Sequence, residues 1–151
     1  MHIQGSCLCG RVAFAIDGDA VAMNSCHCSK CRKAYASAFG TILVVARKSF
    51  SYLRGEEYLR NFLSSERVNR PFCGECGSRL PIVEEWDPLV GIPAGLLDGD
   101  PGIQNEAHIF VAEKAPWMEV NDDSPQHATW PPDQNLSERH EQLISEDLDD
   151  D

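Results

Sequence analysis

Thiol groups offer the clearest chemistry in this chain, because its seven cysteines fall into three short groups. The groups are Cys7 and Cys9, then Cys26, Cys28 and Cys31, then Cys73 and Cys76. A disulfide framework would leave one cysteine unpaired and would have to join near neighbours, and unrelated buried thiols would not cluster in this way. Cysteines at these spacings are typical of zinc ligands, and the sequence therefore predicts metal binding, most simply by two zinc ions.

The first and last groups together can supply the four thiolates of a closed, tetrahedral structural site. In Cys73-x-x-Cys76 a tight turn, relieved by flanking glycines, can aim both sulfurs at one ion. We expect Cys7 and Cys9 to converge from an extended strand end, since residues i and i+2 share a face. Such a site would join segments more than 60 residues apart and would define the fold.

The central group differs, because Cys26, Cys28 and Cys31 are left with no further cysteine for a fourth position. Three protein ligands and one open place are the arrangement of a catalytic zinc, with water, substrate or a nearby side chain completing the shell. Spacing alone leaves another division open, in which Cys7 and Cys9 join part of the central group.

Two histidines are candidates for the fourth position of the central group. His27 is close in sequence, but in an extended Cys26-His27-Cys28 its side chain points away from the two sulfurs, which argues against ligation. His108 could come from elsewhere in the fold, although such a histidine is more often a hydrogen-bonded strand residue.

Short β-strands must position these groups, since alternation of apolar and other residues is seen at Val12, Phe14 and Ile16. Thr41–Val45 is an apolar run rich in β-branched residues, and glycines and prolines separate the remaining segments. Further candidate strands are 58–63, 79–83 and 108–111. No internal segment shows a sustained helical period, so we predict a mainly β domain.

The domain is predicted to span residues 1–135, followed by an acidic tail over 136–151. In that tail Asn135 and Glu138 could cap a short helix that frays at its acidic end, but a solvated terminus is the preferred interpretation. No run of apolar residues is long enough to span a membrane, and the N-terminus lacks the pattern of a secretory signal. These features predict a cytoplasmic protein without disulfides; nothing in the sequence marks an oligomer interface.

The net charge of −11 is unevenly distributed. Residues 1–80, which hold every cysteine, carry 11 Lys and Arg against 6 Asp and Glu, whereas residues 81–151 are strongly acidic. Most of these charges are expected to be solvated surface. The basic half could nevertheless attract an anionic ligand locally.

The order of these motifs resembles the glutathione-dependent formaldehyde-activating enzyme (GFA) family, which includes centromere protein V-like domains. The resemblance covers roughly residues 3–130, and the three-part cysteine pattern is its most specific element. It is carried by Gly5-x-Cys7-x-Cys9-Gly10-x-Val12, Cys26-His27-Cys28-x-x-Cys31-Arg32-Lys33, Arg70-x-Phe72-Cys73-x-x-Cys76-Gly77-Ser78-x-Leu80, Gly95-Leu96-Leu97-Asp98, His108-Ile109-Phe110 and Lys114-Ala115-Pro116-Trp117.

The resemblance implies an Mss4-like "β-tent" of short antiparallel sheets. It implies a structural zinc at Cys7, Cys9, Cys73 and Cys76 and a second, catalytic zinc at Cys26, Cys28 and Cys31. It also implies addition of glutathione to formaldehyde, which in the reverse sense is a carbon–sulfur lyase reaction.

On this hypothesis a substrate thiol takes the open place, because coordination favours the thiolate form. Arg32, Lys33 and Arg70 flank the cysteine groups and could pair with the carboxylates of glutathione. Ser65, with Ser64 beside it, stands at the place of a family Ser-Ser and could donate hydrogen bonds or simply form a turn.

Two other functional classes remain open at this point. A non-catalytic zinc module could bind protein or nucleic acid through its basic half, although the basic residues are not interleaved with aromatics and the whole chain is acidic, which argues against nucleic acid. A thiol redox protein could use Cys73 and Cys76, but the βαβ context of that motif is missing.

Overall fold

The computed structural model describes residues 1–66 and 68–131, which form short strands and one α-helix. A three-stranded antiparallel sheet has the order β1-β2-β5, a five-stranded sheet the order β10-β3-β4-β9-β8, and a two-stranded ribbon pairs β6 with β7. The elements are β1 (His2–Ser6), β2 (Ala13–Asp17), β3 (Ala20–Cys26), α1 (Ser29–Tyr35), β4 (Gly40–Ala46), β5 (Phe50–Arg54), β6 (Leu59–Arg60), β7 (Phe72–Cys73), β8 (Ile82–Val83), β9 (Leu89–Pro93) and β10 (Ala107–Ile109). Four 3₁₀ turns connect them, at Arg47–Ser49, Glu56–Tyr58, Ala94–Leu96 and Val111–Glu113.

The main core lies where apolar faces of the two larger sheets meet. Phe14 and Ile16 point inward from β2, and Leu43 and Val45 point inward from β4, each without exposed surface. This two-residue spacing is the period of a strand with one covered face. The alternation seen at positions 12–16 and the apolar run at 41–45 are therefore confirmed as strands.

Two smaller clusters surround the cysteines. One packs Cys7 and Cys73 with Val12 and Leu80, and the other packs Cys26 with Ala107 and Ile109. One cysteine of each group, Cys7, Cys73 or Cys26, thus packs against buried apolar residues. This packing restricts the movement of its sulfur.

The second of these clusters depends on a parallel strand pair. β10 pairs in parallel with β3, with Ile109 opposite Cys26, whereas the other strand pairs among the described residues are antiparallel. The predicted mainly β fold of short sheets is confirmed, with this one parallel exception. A parallel pair needs a long connection, and here the connection carries all the strands from β4 to β9.

The structure changes the bounds of three candidate strands and adds one helix. The segment 58–63 forms only the two-residue β6, and Phe62 and Leu63 beyond it are exposed rather than covered. The candidate strands 79–83 and 108–111 are confirmed in part, as β8 and β10. β10 ends at Ile109 because Phe110 adopts a left-handed conformation. An internal helix, α1, exists although no helical period predicts it, because seven residues complete only two turns.

The acidic tail and its candidate helix lie outside the described residues, so the domain boundary after residue 135 stays a prediction. Within the described residues no helix has the length and apolar character needed to cross a membrane.

Candidate functional site

Four sulfurs from distant parts of the chain meet in one place. Those of Cys7, Cys9, Cys73 and Cys76 all lie within 4.8 Å of one another. The Cys7–Cys9 distance is 3.6 Å and the Cys9–Cys73 distance is 3.9 Å. Zn–S bonds of about 2.3 Å in a tetrahedron place sulfurs ~3.8 Å apart, so this donor set fits zinc in both chemistry and size. We call it the four-thiol site.

Turns, rather than an extended strand, bring each pair of sulfurs together. Beyond β1 the chain reverses, with the Gly10 amide donating to the Cys7 carbonyl at 3.0 Å. The expectation of an extended Cys7-x-Cys9 was wrong, because residues i and i+2 of a strand are about 6.6 Å apart along the chain. In the other pair the Gly77 amide donates to the Cys73 carbonyl at 2.8 Å, and Gly77 has a φ of +79° that favours glycine.

The metal-free thiols of this site differ in acidity. Burial raises the pKa of Cys7 to about 11. Desolvation opposes ionisation of Cys76, but hydrogen bonds from the Ser78 hydroxyl and amide outweigh it and lower its pKa to about 5. The Ser78 hydroxyl oxygen accepts from the Leu8 amide at 2.9 Å and from the Cys76 thiol at 3.3 Å. Once Cys76 is a thiolate, the same hydroxyl can donate its own proton to the sulfur. The two halves of the site are thus joined by a hydrogen bond as well as by sulfur contacts.

The central group also converges, with the sulfurs of Cys26, Cys28 and Cys31 within 4.8 Å of one another. Cys26 ends β3, Cys28 is the N-cap of α1, and Cys31 lies in its first turn. The sulfur of Cys28 accepts a hydrogen bond from the Cys31 amide at 3.3 Å, as a capping side chain does. We call this cluster the three-thiol site. It suits a zinc ion with one open position, and the alternative division of the cysteines is excluded by the geometry.

One thiol of the three-thiol site is strongly acidified. The hydrogen bond from Cys26 is the largest cause, and those from Cys28 and the charge of Arg70 add to it, lowering the pKa of Cys31 to about 6 against desolvation. The same hydrogen bond, together with burial, raises the pKa of Cys26. Without metal, Cys31 therefore loses its proton before Cys26 does.

A basic groove adjoins the three-thiol site. It has a volume of about 490 Å³ and is lined by Lys30, Lys33, Ala34, Phe62, Ser64, Arg70, Phe72 and Arg79. Four of these side chains are cationic and none is acidic. The guanidinium nitrogens of Arg70 lie 3.8 and 3.9 Å from the sulfur of Cys31, which places the groove directly against the thiols.

The predicted substrate-binding residues are only partly gathered in this groove. Lys33 and Arg70 line it, but Arg32 faces a different depression, beside the exposed Trp117. Ser65 accepts from the Val68 amide at 3.2 Å, as a turn residue. Its neighbour Ser64 accepts from Nε of Arg70 at 2.9 Å and so orients that guanidinium.

Three further groove residues were missed by the sequence reasoning. Lys30 lies one helical turn before Lys33 on α1, and its i, i+3 spacing would have indicated a shared face had the helix been recognised. Arg79 stacks on Phe72, with its guanidinium carbon 5.3 Å from the ring centre. Phe62 carries no local signal, since only the fold shows that it reaches the groove.

The two candidate histidines do not enter the three-thiol site. Among the described residues neither belongs to a group that could hold a metal ion. Instead Nε2 of His27 lies 2.7 Å from Nδ1 of His108, and both rings are buried. His108 is thus a hydrogen-bonded strand residue.

Comparison with known proteins agrees with this geometry. A Halomonas elongata protein provisionally named as a glutathione-dependent formaldehyde-activating enzyme is 26% identical over 152 residues, covering 95% of this chain and 97% of that protein. A crystal structure of a Rhodobacter sphaeroides protein shares the fold, with a TM-score of 0.53 and 23% sequence identity over 64% of this chain and 89% of that one. The family model described as glutathione-dependent formaldehyde-activating enzyme matches residues 2–113, a stretch that contains both thiol sites and the groove. The chain therefore belongs to the GFA family.

Proposed function

We propose that this protein is a zinc-dependent enzyme that joins a glutathione-like thiol to a small aldehyde, and that cleaves the same carbon–sulfur bond in reverse. The observation that carries the proposal is the contact between the three-thiol site and a groove lined by four cations. The four-thiol site is assigned a structural zinc, because four cysteine thiolates leave no open position.

The chemistry fits a soft, anionic substrate. A zinc ion held by three thiolates would keep one place open and would favour the thiolate form of a thiol that binds there. Arg70 and Lys33 would then bind carboxylates of the substrate, and Ser64 would keep the Arg70 fork in position. Because the site would hold the thiol and the aldehyde side by side, the two would not have to meet in solution. This proximity would supply much of the rate acceleration.

The reaction itself is balanced without a further reactant. The sulfur electron pair forms a bond to the aldehyde carbon, and the carbonyl π pair moves to oxygen. The oxygen then takes up the proton that the thiol has lost, so the product is a hemithioacetal. In the lyase direction the carbon–sulfur bond breaks and the same proton returns to sulfur.

The first test is metal content with and without substrate. Protein purified under reducing conditions should contain about two zinc ions per chain, and added glutathione should slow the loss of the weaker one to a chelator. The zinc-loaded protein should also accelerate the exchange between formaldehyde and S-hydroxymethylglutathione. NMR measures this exchange with and without protein. One zinc per chain, or an unaccelerated exchange, would contradict the proposal.

The groove is tested separately with Arg70→Gln. Loss of a charge-assisted hydrogen bond costs about 1.5–3 kcal/mol, so KM for glutathione should rise about 10-fold or more while the zinc content is unchanged. Lys48→Gln removes the same charge and is the matched control. Lys48 follows β4 shortly after Val45, and Val45 pairs with Ala20, at the end of β3 opposite to Cys26. Equal effects of both substitutions would show that net charge, and not the groove, governs binding.

The competing function is a non-catalytic zinc module that binds protein or nucleic acid. The four cations favour an anionic ligand, but they line a groove rather than an extended surface. A gel shift that weakens with salt, in protein that does not accelerate the aldehyde exchange, would support that alternative.

A further inference from the structure

A buried hydrogen-bonded chain of three side chains runs beside the three-thiol site. Nε2 of His27 lies 2.7 Å from Nδ1 of His108, and Nε2 of His108 lies 2.8 Å from Oδ2 of Asp122. The residue His27 has no exposed surface and His108 is 2% exposed, whereas the side chain of Asp122 is 52% exposed. These hydrogen bonds thus lead from the protein surface to His27, which lies between Cys26 and Cys28 in sequence.

The acceptor at its outer end fixes the direction of both hydrogen bonds. A carboxylate can only accept, so Nε2 of His108 donates to Asp122. In a neutral His108 the other nitrogen then accepts, and His27 donates from Nε2. This leaves only a lone pair, on Nδ1 of His27, without a partner among the described residues. The opposite direction would bury an unpaired N–H there, which proteins tolerate less readily than an unpaired acceptor.

The main chain of His27 is held as firmly as its ring. Its amide donates to the Ile109 carbonyl at 2.9 Å, and Ile109 lies opposite Cys26 in the parallel pair of β10 and β3. Phe39 packs against both imidazoles, with ring centres 4.8 Å from His27 and 5.4 Å from His108. The residue therefore has little freedom either to rotate or to shift along the strand.

The outer end of the chain is anchored too. Asp122 accepts from the Ser124 amide at 3.0 Å through its other oxygen. His108 donates its amide to the Pro125 carbonyl at 2.9 Å, and its own carbonyl accepts from the His127 amide at 2.9 Å. The segment around residues 122–127 thus braces His108 from the side opposite to β3.

The three-thiol site needs such a brace. Three thiolates held within 4.8 Å of one another repel before a cation arrives. The helix that carries Cys31 is seven residues long and buries none of them, so it gives little rigidity. Fixed positions for Cys26 and Cys28 must therefore come from the segment that contains His27.

We infer that His27, His108 and Asp122 form a positioning chain that holds Cys26 and Cys28 in the geometry required by the metal. His27 is then a positioning residue and not a ligand. The inference rests on zinc binding at the three-thiol site, which is part of the proposed function, but it does not depend on the reaction.

The test uses the full chain with zinc and follows the two ions separately by competition with a chelator. Asp122→Ala should weaken the zinc of the three-thiol site about 10-fold, the lower end of the range known for residues that support metal ligands, and leave the other zinc unchanged. Asp123→Ala is the matched control, since Asp123 is an exposed neighbouring acid. It should bind both ions as the wild type does.

A second pair of variants separates positioning from simple packing. In His108→Asn the amide oxygen can take the place of Nδ1 and accept from His27, but the donor to Asp122 is lost, so the zinc of the three-thiol site should weaken about as much as in Asp122→Ala. In His108→Ala that acceptor is lost, and the zinc of the three-thiol site should weaken at least as much as in Asp122→Ala. After Co²⁺ replaces zinc, the thiolate absorption bands of the ion in the three-thiol site should change in Asp122→Ala, His108→Asn and His108→Ala but not in Asp123→Ala.

The outcomes distinguish the inference from the function on which it rests. If the wild type binds two ions and Asp122→Ala and His108→Ala do so equally tightly, the positioning chain is refuted and the proposed function stands. If the wild type binds only one ion, both fail. If His108→Ala does not fold, the zinc affinity of Asp122→Ala still tests the positioning chain, because the half-exposed Asp122 can be replaced without disturbing the core.

Discussion

At the scale of single residues, Arg70 combines two tasks at one guanidinium. It lies against the sulfur of Cys31 and is oriented by the hydroxyl of Ser64. Its positive charge helps to acidify the thiol, and the same charge can bind a carboxylate in the groove. Substituting it should therefore alter both thiol acidity and ligand affinity.

The acidity of Cys31 gives a pH prediction for reduced protein that keeps the zinc of the four-thiol site but has lost the metal of the three-thiol site. Because its pKa is lowered to about 6, the thiolate should be present above that pH and lost below it. Alkylation of Cys31 by iodoacetamide, followed by mass spectrometry, should rise through pH 6 and level off near neutrality. An ordinary thiol would still be rising about two pH units higher.

Arg70→Gln should shift that midpoint to higher pH, since a cation next to the sulfur is removed, and Lys48→Gln should leave it in place. A midpoint that is the same in Arg70→Gln and wild type would show that the neighbouring cysteines alone acidify Cys31.

Replacing one cysteine from each site should give opposite phenotypes. Cys28→Ser should lose one zinc and the activity but remain folded, because the four-thiol site is untouched and β3 stays paired with β4 and β10. Cys73→Ser should unfold or aggregate, since a structural zinc contributes about 10–16 kcal/mol, comparable with the 5–15 kcal/mol that stabilises a typical protein. Metal analysis and thermal unfolding by circular dichroism distinguish the two; similar behaviour would refute the division of roles.

The sequence was most informative where residues act locally. The three cysteine groups were predictable because each is brought together within a few residues. Spacing favoured the assignment of Cys7 and Cys9 to Cys73 and Cys76 but left another division open, since the assignment depends on Cys7 and Cys73 meeting in space. The contact of Arg70 with Cys31 spans 39 positions and likewise has no local signal.

At the scale of elements, short turns and one short helix do most of the positioning. The seven residues of α1 present Lys30, Cys31 and Lys33 together, yet they are too few to show a hydrophobic period. The strand predicted at 58–63 failed for a related reason. Its apolar residues beyond Arg60 suggest burial, but Phe62 contributes to the groove instead of the core.

The turn between Cys73 and Cys76 can be tested by substituting Gly77. An alanine at its φ of +79° is strained, which should cost about 1–2 kcal/mol and also loosen the turn between Cys73 and Cys76. Urea unfolding of the zinc-loaded protein should show this loss. Gly95→Ala is the control, because no atom lies within 4 Å of the added carbon and its φ is not positive; its effect should stay within about 0.5 kcal/mol. Equal effects would mean that the turn tolerates a side chain.

At the scale of the whole molecule, a chain of net charge −11 presents a cationic groove to an anionic ligand. Local attraction from the groove must therefore overcome repulsion from the rest of the surface. Both are screened by salt, but the nearer charges of the groove dominate the interaction with a bound carboxylate.

Glutathione affinity should consequently fall as salt rises from 0.1 M to 1 M, while the Debye length shrinks from about 10 Å to about 3 Å. A neutral thiol such as 2-mercaptoethanol should show little change under the same conditions. Calorimetric titration of zinc-loaded protein measures both. An affinity for glutathione that is independent of salt would argue against a role for the groove cations.

The unequal spread of the two thiol sites along the chain has a consequence during biosynthesis. The three-thiol ligands are complete once Cys31 has left the ribosome, whereas the four-thiol ligands wait for Cys76, 45 residues later. At about 5–20 residues per second this interval lasts about 2 to 9 s. Throughout it, a nascent chain displays five thiols without its final scaffold. The thiols of the three-thiol site are therefore exposed to metal ions and oxidants before the four-thiol site can form.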